Sequence, residues 1–467
     1  MAKSIVNAQL LSDEQPSKAI IRLAIPATIA LLAKAVYNIV DTAYIGLLGS
    51  DTSLAAVGVT LPILLIMVSV ENIFAAGAAV IAGRQLGAGD PEGASRTTSS
   101  IIALSLGIGL LLCVGGIVLI EPLLRGFGAS DAVLPEAKAY AFWMFIAALF
   151  NLPAQSMNCA ARAESAVKPA SIAVITGAAL NVVLDPVFMF SWGLDLGVGG
   201  ASLATTVSQC ATFLILAGFY ASGRTLIKVR PKYLSLTGRM VKTVVSIGIP
   251  TAIIQICLAL ATSMTNIAAT RLPDVDLVIA AYGVVQRLVL IGCYVIMGFM
   301  QGYQPVAAYS FGARNEERFH SCCRFAIKGV LLLTVLVAAL YIVFAKPLIL
   351  LFNRTPAVVD YGKWLLISQV ALYPAFGLCY MMTITFQTIG ASRLGLFLSM
   401  IRQGVCYIPF ILLLPERFGV EGIYLSQPAA DLLTFLVCVA LIRPMKRMAS
   451  RRMSGQLPEE QLGKPRR

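Results

Sequence analysis

The stretch TTSSIIALSLGIGLLLCVGGIVLI, residues 97–120, carries no charged side chain. A helix needs about 20 mostly apolar residues to cross the hydrocarbon core of a bilayer, and this stretch is long enough. Further uncharged runs occur at 139–161, 196–223, 243–270, 288–313 and 364–392. The pattern predicts an all-α, polytopic membrane protein.

The composition excludes an ordinary soluble domain. Of the 467 residues 58% are hydrophobic and 13% are charged, about half of the roughly 25% charged residues in soluble domains. Asp13, Glu14 and Pro16 precede the first apolar stretch, so we expect no removable signal peptide. The net charge of +13 is spread over short loops and the chain ends, which disfavours a nucleic-acid partner. The ten cysteines form no CxxC pair, and no disulfide framework is expected.

Proline, glycine and charge clusters mark the loops and leave twelve predicted spans. They are 17–48, 53–83, 97–120, 133–160, 168–192, 197–222, 240–270, 277–305, 324–346, 358–386, 394–414 and 419–442. With both termini on the inside, the inner segments carry 27 Lys and Arg residues, Arg402 among them, and the outer loops carry seven. The positive-inside rule therefore predicts cytoplasmic termini, in the plasma (inner) membrane of a prokaryote.

An internal repeat becomes visible when the chain is shifted on itself by 221 to 225 residues. Ile25-Pro26 returns as Ile249-Pro250, and Gly87-Ala88 returns as Gly312-Ala313. Each half holds six spans, an even number, so we expect two lobes of like orientation related by a pseudo-two-fold axis along the membrane normal. The predicted units are the N-terminal lobe (1–221), a basic cytoplasmic linker (222–242), the C-terminal lobe (243–442) and a basic cytoplasmic tail (443–467).

Few ionisable residues lie inside the predicted spans. Each costs about 2.5 to 3.5 kcal/mol at the bilayer centre unless it is paired or hydrated, so a functional role is the default interpretation. They are Lys34, Asp41, Glu71, Asp185, Arg287 and Asp431.

Four polar residues of the N-terminal lobe are predicted to lie at one depth. At roughly 1.5 Å per residue, Asp41 lies about 10 Å below the outer end of its span, and Asp185 and Thr205 reach a similar level. Asn181 is one helical turn below Asp185 on the same face. Hard cations such as Na⁺ bind several oxygens, and two adjacent carboxylates can instead share a proton. We predict a cation-coupling site here, with packing of the two acids against neighbouring polar groups as the alternative.

Positions equivalent by the repeat lack carboxylates in the C-terminal lobe. Thr265 stands for Asp41, and 407–410 stands for Asp185. Ion coupling should therefore depend on the N-terminal lobe alone.

The other buried charges favour structural pairing over cargo contact. Lys34 with Glu71, and Arg287 with Asp431, are predicted as buried pairs. Polar, aromatic and methionine side chains could instead line an adaptable cargo cavity, although core filling is the expected role of most methionines. The cavity candidates are Lys34, Tyr37, Asn38, Met264, Met297 and Met300.

No catalytic constellation can be assembled from the sequence. His320 is the only histidine and falls in a charged loop, so a histidine metal site and a Ser-His triad are both excluded. We expect no enzyme activity, no cofactor and no bound metal other than a possible Na⁺ at Asp41 and Asp185.

Several stretches resemble the multidrug and toxic compound extrusion (MATE) transporters, in particular their DinF-like and MepA-like prokaryotic branch. The likeness covers nearly the whole chain and depends on the order and doubling of individually weak motifs. They are AIPATIALLAKAVYNIVDTAYIG (24–46), GRQLGAGDPEGA (83–94), AARAESAVKPA (160–170), NVVLDPVF (181–188), GVGGASLATTVSQ (197–209) and MGFMQGYQPVAAYSFGARN (297–315).

The resemblance implies a V-shaped pair of six-helix lobes that exports cationic or amphipathic compounds in exchange for inward H⁺ or Na⁺. By motif, Asp41, Asn181, Asp185 and Thr205 correspond to the N-lobe cation site of that branch. Gln255 and an acid-free tenth span stand where another branch has carboxylates. Lys34 departs from the pattern, because a fixed positive charge near Asp41 weakens Na⁺ binding.

Two other functions remain open from the sequence. A lipid-linked oligosaccharide flippase would favour a strongly cationic central cavity, whereas the charges predicted here sum to about zero. A membrane receptor is the alternative outside transport, and it rarely needs a six-span duplication. The expected partners are small-molecule substrates and membrane lipids, and the chain is expected to be a monomer.

Overall fold

The computed structural model describes residues 11–270 and 275–457. These residues form sixteen α-helices, a 3₁₀ turn at Pro231–Tyr233 and one π-helical segment, Ile401–Cys406. The outer parts of the predicted N-terminal segment and C-terminal tail, 1–10 and 458–467, lie outside the described residues.

The first half of the chain contains seven helices, and we call Pro16–Ala221 the N-lobe. They are α1 (Pro16–Leu47), α2 (Asp51–Gly87), α3 (Pro91–Val118), α4 (Ile120–Gly126), α5 (Leu134–Ala163), α6 (Val167–Met189) and α7 (Gly197–Ala221).

The second half contains nine helices, and we call Gly238–Met453 the C-lobe. They are α8 (Gly238–Ala269), α9 (Val275–Gly312), α10 (Glu316–Val343), α11 (Ala345–Leu350), α12 (Pro356–Val370), α13 (Tyr373–Ile389), α14 (Ser392–Met400), α15 (Tyr407–Phe418) and α16 (Val420–Met453). The π-helical segment joins α14 to α15.

The number of spans agrees with the sequence. Eleven stretches of the described chain are long and apolar enough to cross a membrane, and α12 with α13, bent by 45°, makes a twelfth. The prediction of an all-α protein with twelve spans is confirmed. Large apolar side chains such as Leu111 and Leu340 are exposed on the outer surface, as expected where helices face lipid instead of water.

Equivalent turns in the two halves start their helices in the same way. The Asp90 carboxylate accepts the backbone N–H of Gly93 at 2.7 Å, and the Asn315 side chain accepts that of Arg318 at 2.9 Å. Both are N-caps, which satisfy a backbone donor that the first turn of a helix leaves free. Because these caps lie 225 residues apart, the repeat includes the local signals that place the helices.

The two lobes pack together on the side of the membrane that carries the linker, which we call the linker side. A Cβ atom on Gly87 would lie 2.1 Å from the carbonyl oxygen of Tyr309, and one on Gly312 would lie 2.0 Å from that of Arg84. Only glycine permits such close approach of two backbones. These glycines occupy equivalent positions in the repeat, so α2 and α9 cross near the pseudo-symmetry axis.

Arg84 adds a polar contact between the lobes at the same level. Its guanidinium donates to the carbonyl oxygens of Thr388, at 2.6 Å, and Gln387, at 2.8 Å. These carbonyls belong to the last turn of α13, where the helix dipole favours a positive charge. The linker side is therefore closed by both packing and hydrogen bonds.

Candidate functional site

The residues predicted for cation coupling meet between α6 and α7. The Asn181 side-chain amide donates to Asp185 Oδ1 at 3.0 Å and to Thr205 Oγ1 at 3.3 Å. Asp185 is fully buried and Asn181 is 2% exposed. The bond between Asn181 and Asp185 follows from their spacing, because residues four apart share a helix face.

Three acceptor oxygens at this place lack a hydrogen-bond donor among the described residues. They are Asp41 Oδ1, Asn181 Oδ1 and Asp185 Oδ2. Asp41 lies close enough to Asp185 for the two charges to interact, and Tyr140 of α5 lies within electrostatic reach of both. A buried acceptor without a donor is costly. A cation or a proton would satisfy this group of oxygens.

An apolar layer covers the group on the side opposite the linker. Ile45, Met189 and Ala201 lie one helical turn from Asp41, Asp185 and Thr205 respectively, and belong to one buried cluster. The rings of Tyr44 and Phe190 meet edge to face beside it, with centroids 6.2 Å apart. The layer separates the polar oxygens from that side of the membrane.

A polar cavity extends from the same group toward the linker side. Lys34 and Tyr37 line it together with Asn181 and Thr205. Of the six predicted cavity residues, only Lys34 and Tyr37 belong to its lining.

The other cavity candidates lie elsewhere. Asn38 is not part of the lining, and Met264 packs against the hydrophobic core of the C-lobe. Met297 is half-buried and does not line the cavity. Met300 is fully buried in the C-lobe core, so its assignment to a cargo cavity is wrong and it fills space between helices.

Lys34 and Glu71 are near neighbours in the N-lobe. Lys34 lies within electrostatic reach of Glu71, Tyr37 and Tyr294. Glu71 accepts a hydrogen bond from the Asn151 side chain at 2.7 Å. The sequence missed Asn151, a neutral residue without a motif of its own.

The predicted pairing of Arg287 with Asp431 is wrong. Asp431 is fully buried, and Arg402 donates to both of its oxygens, at 2.7 and 3.1 Å. Arg287 is exposed on α9. Arg402 was counted among the cytoplasmic positive charges, but it lies in the π-helical segment inside the eleventh span. Its removal from that count leaves the charge asymmetry intact.

The C-lobe positions equivalent to the acid pair form a neutral contact. Thr265 Oγ1 lies 2.8 Å from the hydroxyl of Tyr407 and also donates to the Ala261 carbonyl oxygen at 2.8 Å. Thr265 and Tyr407 are both at least 98% buried. Across the described chain, no group of three or more His, Cys, Asp or Glu side chains could hold a metal ion.

Comparisons with known proteins agree with this architecture. The chain is 26% identical to the multidrug export protein MepA of Staphylococcus aureus over 425 residues, which cover 91% of this chain and 93% of the relative. MepA of Staphylococcus saprophyticus is 25% identical over the same shares.

Two solved structures superpose on nearly the whole chain. One is described as the outward-facing conformation of a multidrug resistance MATE family transporter of the MOP superfamily. It has a TM-score of 0.89 at 25% identity and covers 96% of this chain and 99% of its own. A crystal structure of MATE in complex with MaL6 gives a TM-score of 0.88 at 25% identity, covering 94% and 99%.

The family model MatE matches twice, at residues 26–187 and 250–413. The two matches fall in the two halves of the repeat and together cover more than half of the sequence. This chain therefore belongs to the MatE family.

Proposed function

We propose that this protein is a cation-coupled antiporter that exports amphipathic compounds, cationic ones included, across the plasma membrane of a prokaryote. The linker side is its cytoplasmic side, and the monomer is its working unit. The observation that carries the proposal is the group of buried acceptor oxygens on Asp41, Asn181 and Asp185 without donors. The similarity to multidrug export proteins supports export as the direction of transport.

The ion acts on the charge of the acid pair. Without a cation or a proton, two carboxylates face each other in a buried site, where each makes the other's charge more costly. Binding of one H⁺ or Na⁺ offsets part of that repulsion. Asp41, Asn181, Asp185 and Thr205 together offer the several oxygens that Na⁺ requires, and no cofactor takes part.

The coupling to cargo depends on the shape of α1. This helix carries Asp41 and Lys34 and contains Pro26, which removes one backbone hydrogen bond and allows bending. An ion shifts a conformational equilibrium only by its differential affinity for the two states. A change of α1 between the loaded and unloaded site would alter the cavity that Lys34 and Tyr37 line.

The test uses purified protein in proteoliposomes with an imposed H⁺ or Na⁺ gradient and a fluorescent export substrate. Asp41→Asn and Asp185→Asn should each abolish gradient-driven transport while the protein stays folded. Asp131→Asn is the matched control, because this carboxylate lies in a loop and its side chain is 89% exposed. Transport by both site variants at the wild-type rate would refute the proposal.

A further inference from the structure

The cavity inside the N-lobe runs along α6 from Asn181 to Ser171. Ten residues of helix correspond to roughly 15 Å, so an elongated small molecule has room to lie along it. Side chains of α1, α5, α6 and α7 form most of its wall. The end at Ser171 lies near the loop between α5 and α6, on the linker side.

The charged residues that line this cavity are both positive. Lys34 lies toward the end at Asn181, and Arg162 lies at the end near Ser171. The lining contains no Asp or Glu within the described ranges. Its neutral members include Gln155, which can donate hydrogen bonds from its amide.

The two cations differ in how their charge is balanced. Lys34 interacts with the carboxylate of Glu71. Arg162 donates to the side-chain oxygen of Asn158 and to the Cys159 sulfur. These partners are neutral, and no carboxylate of the described chain lies within the 4.0 Å of an ion pair with Arg162.

An arginine in this setting is a ready anion site. Its guanidinium stays charged in proteins and offers five donors in a planar fork that matches a carboxylate. Its half-buried position strengthens an interaction with an opposite charge relative to open water. One unbalanced cation matches one negative charge on the ligand.

We propose that the N-lobe cavity binds amphipathic cargo through a carboxylate, which Arg162 holds at the linker-side end. The apolar body of the cargo lies along α6 toward Tyr37. This inference deepens the proposed export function and names the cargo class that the cavity prefers, anionic or zwitterionic rather than purely cationic. Binding itself requires no ion gradient, so it can be measured separately from coupling.

The test compares tetramethylrhodamine, which has a free carboxylate, with tetramethylrhodamine methyl ester, which lacks that negative charge. Fluorescence anisotropy with the purified full chain in lipid nanodiscs, without an ion gradient, gives the Kd of each dye. We expect the carboxylate dye to bind about tenfold more tightly, as for one charge-assisted contact. Arg162→Gln should remove this preference and leave the Kd of the ester nearly unchanged.

Two further variants separate charge from structure. Arg162→Lys should restore part of the preference, because it keeps the positive charge. Lys168→Gln is the matched control, since Lys168 is exposed on the next helix and does not line the cavity. It should behave as wild type.

The proposal fails if the wild-type protein binds the ester as tightly as the carboxylate dye, or binds neither dye saturably. It also fails if Arg162→Gln weakens both dyes equally, which would assign Arg162 a structural role. Loss of gradient-driven transport with the dye preference intact would overturn the coupling mechanism and leave the cavity assignment standing.

Discussion

Removing Arg402 should destabilise the C-lobe strongly, and removing its partner at the same time should restore much of the loss. The Asp431 carboxylate is fully buried and accepts two hydrogen bonds from Arg402 and one from Gln427, the last at 2.9 Å. In Arg402→Met only the Gln427 amide remains for a buried negative charge. Loss of one partner of a buried ion pair costs about 3 to 5 kcal/mol.

The double variant Arg402→Met/Asp431→Asn leaves no charge to bury. Replacing both members of such a pair by neutral groups is often close to neutral, so it should be more stable than Arg402→Met alone by several kcal/mol. The buried thiols of Cys379 and Cys438 allow thermal unfolding to be followed with a thiol-reactive coumarin maleimide.

The expected order of melting temperatures is wild type, then the double variant, then Arg402→Met. Arg417→Met, at an exposed position of α15, controls for loss of an arginine in general. A melting temperature of Arg402→Met equal to that of wild type would refute the reasoning. So would a double variant that is less stable than the single one.

Three further outcomes are expected. A cysteine introduced at the exposed Leu236 should be labelled only from the cytoplasmic side, since the linker carries six positive charges and no acid; labelling from outside intact cells would reverse the topology. Thr265→Ala should leave the ion dependence of transport nearly intact while Asp41→Asn removes it, and the opposite pattern in vesicle flux assays would contradict an asymmetric mechanism. Burial raises the pKa of Glu164, in the loop after α5, to about 7, so its contribution to stability is full below pH 4.5 and is lost as the pH rises through about 7. Glu164→Gln should remove that loss, at most about 3 kcal/mol, and pH-dependent melting curves that coincide with those of wild type would exclude it.

Much of the fold was readable from the sequence because it depends on long local patterns. Apolar length sets the spans, and the repeat at an offset near 224 residues sets the two halves. Asp185 and Asn181 were also predictable, because a spacing of four places them on one face of α6.

The partners of the remaining charges were not readable. Pairing Asp431 with Arg402 instead of Arg287 depends on the rotation of α16 against the π-helical segment, and periodicity does not fix how one helix turns relative to another. One signal was present, since Arg402 lies within the predicted span 394–414. A charge there needs a partner.

The role of Arg162 was missed for a different reason. It ends α5 in a stretch with Glu164 and Lys168, which is typical of an ordinary solvated loop. In the structure Glu164 instead accepts the backbone N–H groups of Leu226 and Ile227, at 2.7 and 3.0 Å. The acid in the loop therefore binds the linker, and Arg162 is left to face the cavity.

The contrast between the lobes gives the repeat a functional meaning. Equivalent positions hold a neutral contact between Thr265 and Tyr407 in the C-lobe and the acid pair of Asp41 and Asp185 in the N-lobe. The neutral contact can take up neither a proton nor a metal cation without losing its own hydrogen bonds, whereas the acid pair has free oxygens for both. A ligand that has equal affinity for two states shifts neither. If inward ion movement drives export as proposed, the driving free energy therefore enters through the N-lobe, and the C-lobe acts as the fixed wall against which α1 moves.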